Sequence, residues 1–229
     1  MSGRIQAQLS GIRVSSSRVG DLGVAVPESI TFEVFFDYLC PFVYRVAGLI
    51  DAVQRSGRQN IDVRWRYFSI TQVNSKDDGW TVWSAPASER VKGRLAFKAA
   101  EAARRQGRFD AIHRPLLFAR HRDRLDLDEP EVVEQVAAES GLEADRFRRD
   151  LADPQILEAL ARDHTHAVTE LGVFGTPTFV FSDGTSAYVR LSESVEGDGA
   201  VEVFGRLLSV AASEPRILEI KRPRRPTPL

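Results

Sequence analysis

A chain of 229 residues, 28% charged and 43% hydrophobic, has the balance of an ordinary soluble globular protein, with room for one well-buried domain or one domain carrying a sizeable insertion. Its formal net charge of −1 gives no global attraction to nucleic acid or to an anionic membrane surface, and no 18 apolar residues run together to span one. One cysteine excludes an intramolecular disulfide and a cysteine-built zinc centre.

Residues 1–29 are rich in Ser, Gly and Arg with weak periodicity and are expected to form a flexible N-terminal arm. The first 27 lack the apolar core and small-residue cleavage site of a signal peptide, so the expected location is cytoplasmic, where a thiol stays reduced. ITFEVFF, 30–36, is a β-branched and aromatic run that predicts a strand inside a sheet. Asp37 to Pro41 turns the chain, and Phe42, Val46, Leu49 and Val53 then recur at helical spacing until Gly57. IDVRWRYF, 61–68, alternates; a right-handed crossover sets it parallel to the first strand. After the polar loop SITQVNSKDDGW, helices are predicted from 84–88 to about Gly107, over 108–120, from Asp128 and Pro130 to Ser140, over 143–151, and from Asp153 and Pro154 to Gly172. GVFGTPTFVF (172–181) and AYVRL (187–191) predict a hairpin about SDG, a helix follows over 198–212, and the basic, proline-rich tail, 214–229, reads as disordered.

Two places carry chemistry. Cys40 is set at or next to a helix N-terminus, where unpaired N–H groups and the helix dipole favour an anion by about 0.3–1 kcal/mol. A thiolate at an accessible sulfur follows, opposed by Asp37 if that carboxylate is close and supported by Arg45; the alternative is a small packed hydrophobe. Thr176-Pro177 stands before an apolar run, where a proline suits a strand start or edge. Other candidates are weaker. His164 and His166 are poorly spaced to share a metal, and all four histidines, His113 and His121 included, are expected on solvated faces. Trp65, Trp80 and Trp83 suit a cleft lining or, more commonly, a core. Nucleotide-binding and serine-hydrolase motifs are absent, and no metal site is expected.

FFDYLCPFVY and LGVFGTPTFVF, placed around a helical stretch, resemble the DsbA-like branch of the thioredoxin superfamily, which includes the FrnE-type oxidoreductases. The resemblance covers roughly Ile30 to Ala212 and implies an α/β thioredoxin-like fold, a central mixed sheet flanked by helices, with an all-helical insertion. The first half is then 30–81 (β-α-β), the insertion 82–171 and the second half 172–213 (β-β-α). By motif position, Cys40 would be the nucleophile, with Pro41, Phe42 and Val43 beside it and Thr176 and Pro177 as a cis-proline loop that faces it and holds the substrate.

Val43 departs from that pattern, for it stands where the disulfide-exchanging members have a second cysteine. A mixed disulfide at Cys40 then needs an external thiol for release, such as glutathione or another low-molecular-weight thiol acting as cosubstrate, and no bound cofactor is expected. The fold is also similar to kappa-class glutathione transferases and 2-hydroxychromene-2-carboxylate isomerases, which have serine at the nucleophile position. Three readings stay open: a monothiol oxidoreductase acting on a protein or small-molecule disulfide, a glutathione-type transferase or isomerase, and a non-catalytic binding module. A homodimer is open too.

Overall fold

The structure is a computed structural model, and it describes residues 29–222. The arm expected over 1–29 and the end of the expected tail, 223–229, lie outside the described residues, Ser29 excepted.

Strand β1 (Ile30–Phe36) runs through the middle of a four-stranded sheet of order β2-β1-β3-β4. It pairs in parallel with β2 (Ile61–Tyr67), and antiparallel with β3 (Thr178–Phe181), which pairs antiparallel with β4 (Ser186–Tyr188). The period of two in the strand sorts its side chains between two cores. Phe32, Val34 and Phe36 enter the large core, while Phe35 enters a smaller one with Phe68, Ala167, Val173 and Val180. Phe36 is fully buried and lies edge-on to Tyr38, Trp65 and His113, so its truncation to alanine would cost about 3–5 kcal/mol.

Helix α1 (Pro41–Ser56) begins with proline at its first position, where no N–H is needed, and ends at Gly57, whose φ of 63° suits a residue without a Cβ. Its apolar stripe, Val43, Val46, Leu49, Ile50 and Val53, packs into the large core, and α8 (Asp198–Ala211) lies beside it. On the other face, α7 (Glu158–Thr169) covers β2.

Between β2 and β3 stand a single turn, α2 (Ile70–Val73), and the helices α3 (Arg94–Arg105), α4 (Phe109–His121), α5 (Pro130–Glu139) and α6 (Ala144–Ala152). Some boundaries differ from those predicted. The helix expected from 84–88 begins at Arg94, because the Arg94 guanidinium takes the carbonyls of Ala85, Pro86 and Glu89, and Asp128 takes the N–H of Gly93. The helix expected from Asp153 opens with a 3-10 turn (Pro154–Leu157) before α7, although Asp153 does cap it by accepting from the Gln155 N–H at 2.9 Å. Strand β4 stops at Tyr188 rather than at 191, and the Leu191 carbonyl is taken by Arg45 at 2.8 Å. The turn α2 falls within the expected polar loop; Ser69 caps it through the N–H of Gln72.

Candidate functional site

Cys40 is the N-cap of α1, with φ −86° and ψ 116°, and its N–H donates to the Asp37 carbonyl at 3.1 Å. Its thiol donates to the carbonyl oxygen of Thr176 at 3.2 Å. The peptide between Thr176 and Pro177 is cis, and the Pro177 carbonyl accepts from the N–H of Val189 at 3.0 Å, which fastens the loop to the end of β4. The β1–α1 turn and the start of β3 thus meet at one sulfur, because β1 and β3 are adjacent and antiparallel.

The sulfur is not open, however. Cys40 is 5% exposed, so the expectation of an accessible thiol fails: the N-cap position faces the interior and the Thr176 loop closes over it. Val43 is fully buried in the core and cannot line a substrate surface, contrary to expectation; on the core-facing stripe of α1 it packs instead. Pro41 is exposed, and Phe42 is half-buried beneath Arg190, whose guanidinium carbon lies 4.0 Å from the ring centre. Thr176 and Pro177 are buried, so the loop's exposed face is formed by other residues. Phe174 is 71% exposed, and its ring centre lies 5.1 Å from that of Tyr188. Arg45 serves the Leu191 carbonyl.

Asp37 is fully buried and its two oxygens accept from the N–H groups of Leu39 and Ile70, each at 2.7 Å. It ties the turn before Cys40 to the first residue of α2. Burial pushes its carboxyl up to about 6 against the pull of those two hydrogen bonds.

Next to it, Tyr38 is fully buried and shares a hydrogen bond of 3.0 Å with Nδ1 of His113. His113, expected on a solvated face, is 3% exposed among Trp65, Phe36 and Phe109, and burial brings its pKa down to about 3. His164 is likewise buried, accepts from the Ser69 N–H at 3.1 Å, and is brought down to about 4 by burial. Both are neutral core histidines. His121 is partly buried and bonds through Nε2 to the Tyr38 carbonyl at 2.8 Å. The alternation of arginines around these histidines hid their inward faces.

A cavity of about 360 Å³ opens beside Pro41, lined by Leu39, Pro41, Arg120, His121 and Arg124. An adjoining one of about 720 Å³ shares Leu39 and Arg120 and adds Ile70, Trp80 and Lys92 among its walls. Of the three tryptophans, Trp65 is core, Trp83 packs on His164 and Trp80 lines this second cavity. Among the described residues no three His, Cys, Asp or Glu side chains gather as a metal site, and no helix is long and apolar enough to cross a membrane. Arg120, Phe174 and Tyr188 belong to the site's surroundings without any signal in their sequence context, since neither motif nor periodicity marks them.

The family model for a DSBA-like thioredoxin domain matches residues 31–204. This chain belongs to that family. The mixed sheet flanked by helices is its thioredoxin-like fold, shared with solved structures. A probable DsbA oxidoreductase from Streptomyces coelicolor is 22% identical with a TM-score of 0.54, over 87% of this chain and 93% of that one. DsbA of Pseudomonas aeruginosa is 18% identical with a TM-score of 0.51, over 85% and 90%. DsbA of Klebsiella pneumoniae is 14% identical with a TM-score of 0.51, over 80% and 88%. No curated protein matches. Within this DSBA-like family, Cys40 is the chain's sole sulfur nucleophile candidate, since Met1 holds the only other sulfur and a thioether forms no thiolate.

Proposed function

We propose that this DSBA-like protein is a thiol-disulfide oxidoreductase that works with one sulfur. The observation that carries the reading is the approach of Cys40 Sγ to the Thr176 carbonyl, at the junction of β1, α1 and the loop before β3. The Cys40 thiolate attacks a disulfide RSSR; the S–S bond breaks, RS⁻ leaves, and a mixed disulfide forms at Cys40. With Val43 at the third position onward, release falls to an external thiol, glutathione or another of low molecular weight, acting as cosubstrate. Pro41, Phe42 and the exposed pair Phe174 and Tyr188 supply the surface on which the disulfide substrate lies, over Thr176 and Pro177. Because the sulfur is buried, the Thr176 loop must open for attack.

The test is to hold the native protein with hydroxyethyl disulfide and weigh it intact. A single mercaptoethanol adduct on Cys40, absent in Cys40→Ser and removed by glutathione, is the expected result. A second reading, a binding module with Cys40 merely packed, is favoured by the 5% exposure of that residue. An adduct that appears only after denaturation would establish it and overturn the first.

A further inference from the structure

The geometry points to a role for the cavity between the end of α4 and the start of α1: it takes a carboxylate-bearing thiol, with Arg120 and Arg124 holding the carboxylate and His121 Nδ1 accepting the thiol proton. The inference rests on the monothiol reading above and names the class of thiol that completes it.

Position comes first. Leu39 and Pro41, the two residues flanking Cys40, both line this cavity; Cys40 itself is not on its wall, and a linkage at its sulfur comes beside the cavity once the contact with the Thr176 carbonyl opens, as the proposed function requires.

Charge is the second ground. Of the carboxylates that follow α4, Asp123 pairs with Arg122, Asp126 and Glu129 pair with Arg90, and Asp128 accepts from the Gly93 N–H while it also feels the charge of Arg120. Arg120 and Arg124 form no ion pair among the described residues, though one Arg120 nitrogen donates to the Leu125 carbonyl at 3.4 Å, and Lys92 stands in the adjoining cavity with Asp77 as the carboxylate on its wall. Arg124 is also the one non-glycine residue with positive φ, 58°, among the described residues. A guanidinium offers paired donors that fit a carboxylate.

The third ground is the tautomer of His121. A carbonyl oxygen can only accept, so Nε2 carries the proton in its 2.8 Å bond to Tyr38, and in the neutral ring the lone pair is on Nδ1. Nδ1 has no hydrogen-bond partner among the described residues, and unlike Nε2 of His113 it is not sealed from solvent. Burial, with Arg120 and Arg45 nearby, holds His121 below the usual histidine range against its bond to the Tyr38 carbonyl, so the ring is a weak base that readily returns a proton.

The step balances without another reactant. The incoming R′SH gives its proton to His121 Nδ1, and R′S⁻ attacks the substrate sulfur of the Cys40–S–S–R linkage. That S–S bond breaks as R′–S–S–R forms, and Cys40 leaves as a thiolate that recovers the proton from His121.

To test this, Cys40 is loaded as its mercaptoethanol mixed disulfide, and its release is followed by intact mass with mercaptosuccinate, a dicarboxylate, and with neutral thioglycerol. Arg120→Gln and Arg124→Gln should each reduce the preference for mercaptosuccinate about tenfold, through KM. His121→Gln keeps an N–H for the Tyr38 carbonyl but has no basic nitrogen, and should lower the maximal rate about 10²-fold. Succinate added to the unaltered protein should slow mercaptosuccinate more than thioglycerol, a measurement independent of any variant's folding. Equal preference for the two thiols with no effect of succinate overturns the carboxylate site, and an unchanged maximal rate in His121→Gln overturns the proton acceptor. Failure of the mixed disulfide to form at all would instead remove the monothiol reading and this inference with it.

Discussion

The sulfur of Cys40 and the carbonyl oxygen of Thr176, 136 residues apart in the chain, are 3.2 Å apart in space. The sheet brings them together, since β1 ends just before the cysteine and β3 begins just after the proline, antiparallel and paired from Phe35 to Thr178. The same contact covers the sulfur, so the pairing that builds the site also closes it.

The place of the missing second sulfur is available for a direct test. Val43 lies three residues into α1 from Cys40, and the two belong to the same buried cluster. Val43→Cys should therefore let Cys40 form a disulfide with the introduced sulfur on oxidation, read as the loss of both free thiols and a mass lower by two hydrogens. Two free thiols that persist under oxidation would show the turn to be too rigid for that bond.

Tyr38 and His113 form a buried polar pair inside an aromatic cluster. Tyr38→Phe leaves His113 Nδ1 without its partner in a site closed to water, and should cost about 1–3 kcal/mol in urea unfolding. A change below about 0.5 kcal/mol would mean that the hydroxyl contributes nothing to the packing around Cys40.

Asp37 gives a pH dependence with a defined sign. Its folded-state value, about 6, lies above the unfolded 3.8, so the native state binds the proton more tightly. The stabilisation from this group is complete below about 3.8 and lost as pH rises through about 6, a change on the order of 2–3 kcal/mol. Asp37→Asn, which keeps one acceptor and loses the other, should be less stable overall and should lack this fall. The difference between the two proteins' unfolding free energies at pH 4, 5, 6 and 7 isolates it from other carboxylates; a difference that stays constant with pH would contradict it.

Phe174 is 71% exposed on the loop beside Thr176. Phe174→Ser should leave stability within about 0.5 kcal/mol. Under the proposed function it should weaken binding of a disulfide-bearing apolar peptide, measured by fluorescence titration, and unchanged binding would remove Phe174 from the substrate surface.

The order of strands and helices was legible because periodicity and punctuation are local: the β-branched run at Ile30–Phe36, the proline and glycine bracketing α1, and Pro130 at the start of α5 each act within a few residues. The start of α3 was not, since a guanidinium and the Asp128 carboxylate, 35 residues away, decide it by taking the groups a longer helix would use. The histidines failed for a related reason. Flanking arginines suggest a wet face, yet His113 turns inward to Tyr38, and a helix can show charge on one side while it buries a ring on the other.

Composition and spacing by themselves determined the order of elements, the single thiol, its place at a helix start and the lack of a second sulfur beside it, while two short motifs implied the class of fold through their resemblance to a known family. Whether that thiol meets solvent, which rings surround it and which cations line the neighbouring cavity were decided by tertiary structure alone. Exposure and charge at a point depend on every segment that passes near it, and here those segments come from β1, α4 and the loop before β3, which no local stretch of residues specifies.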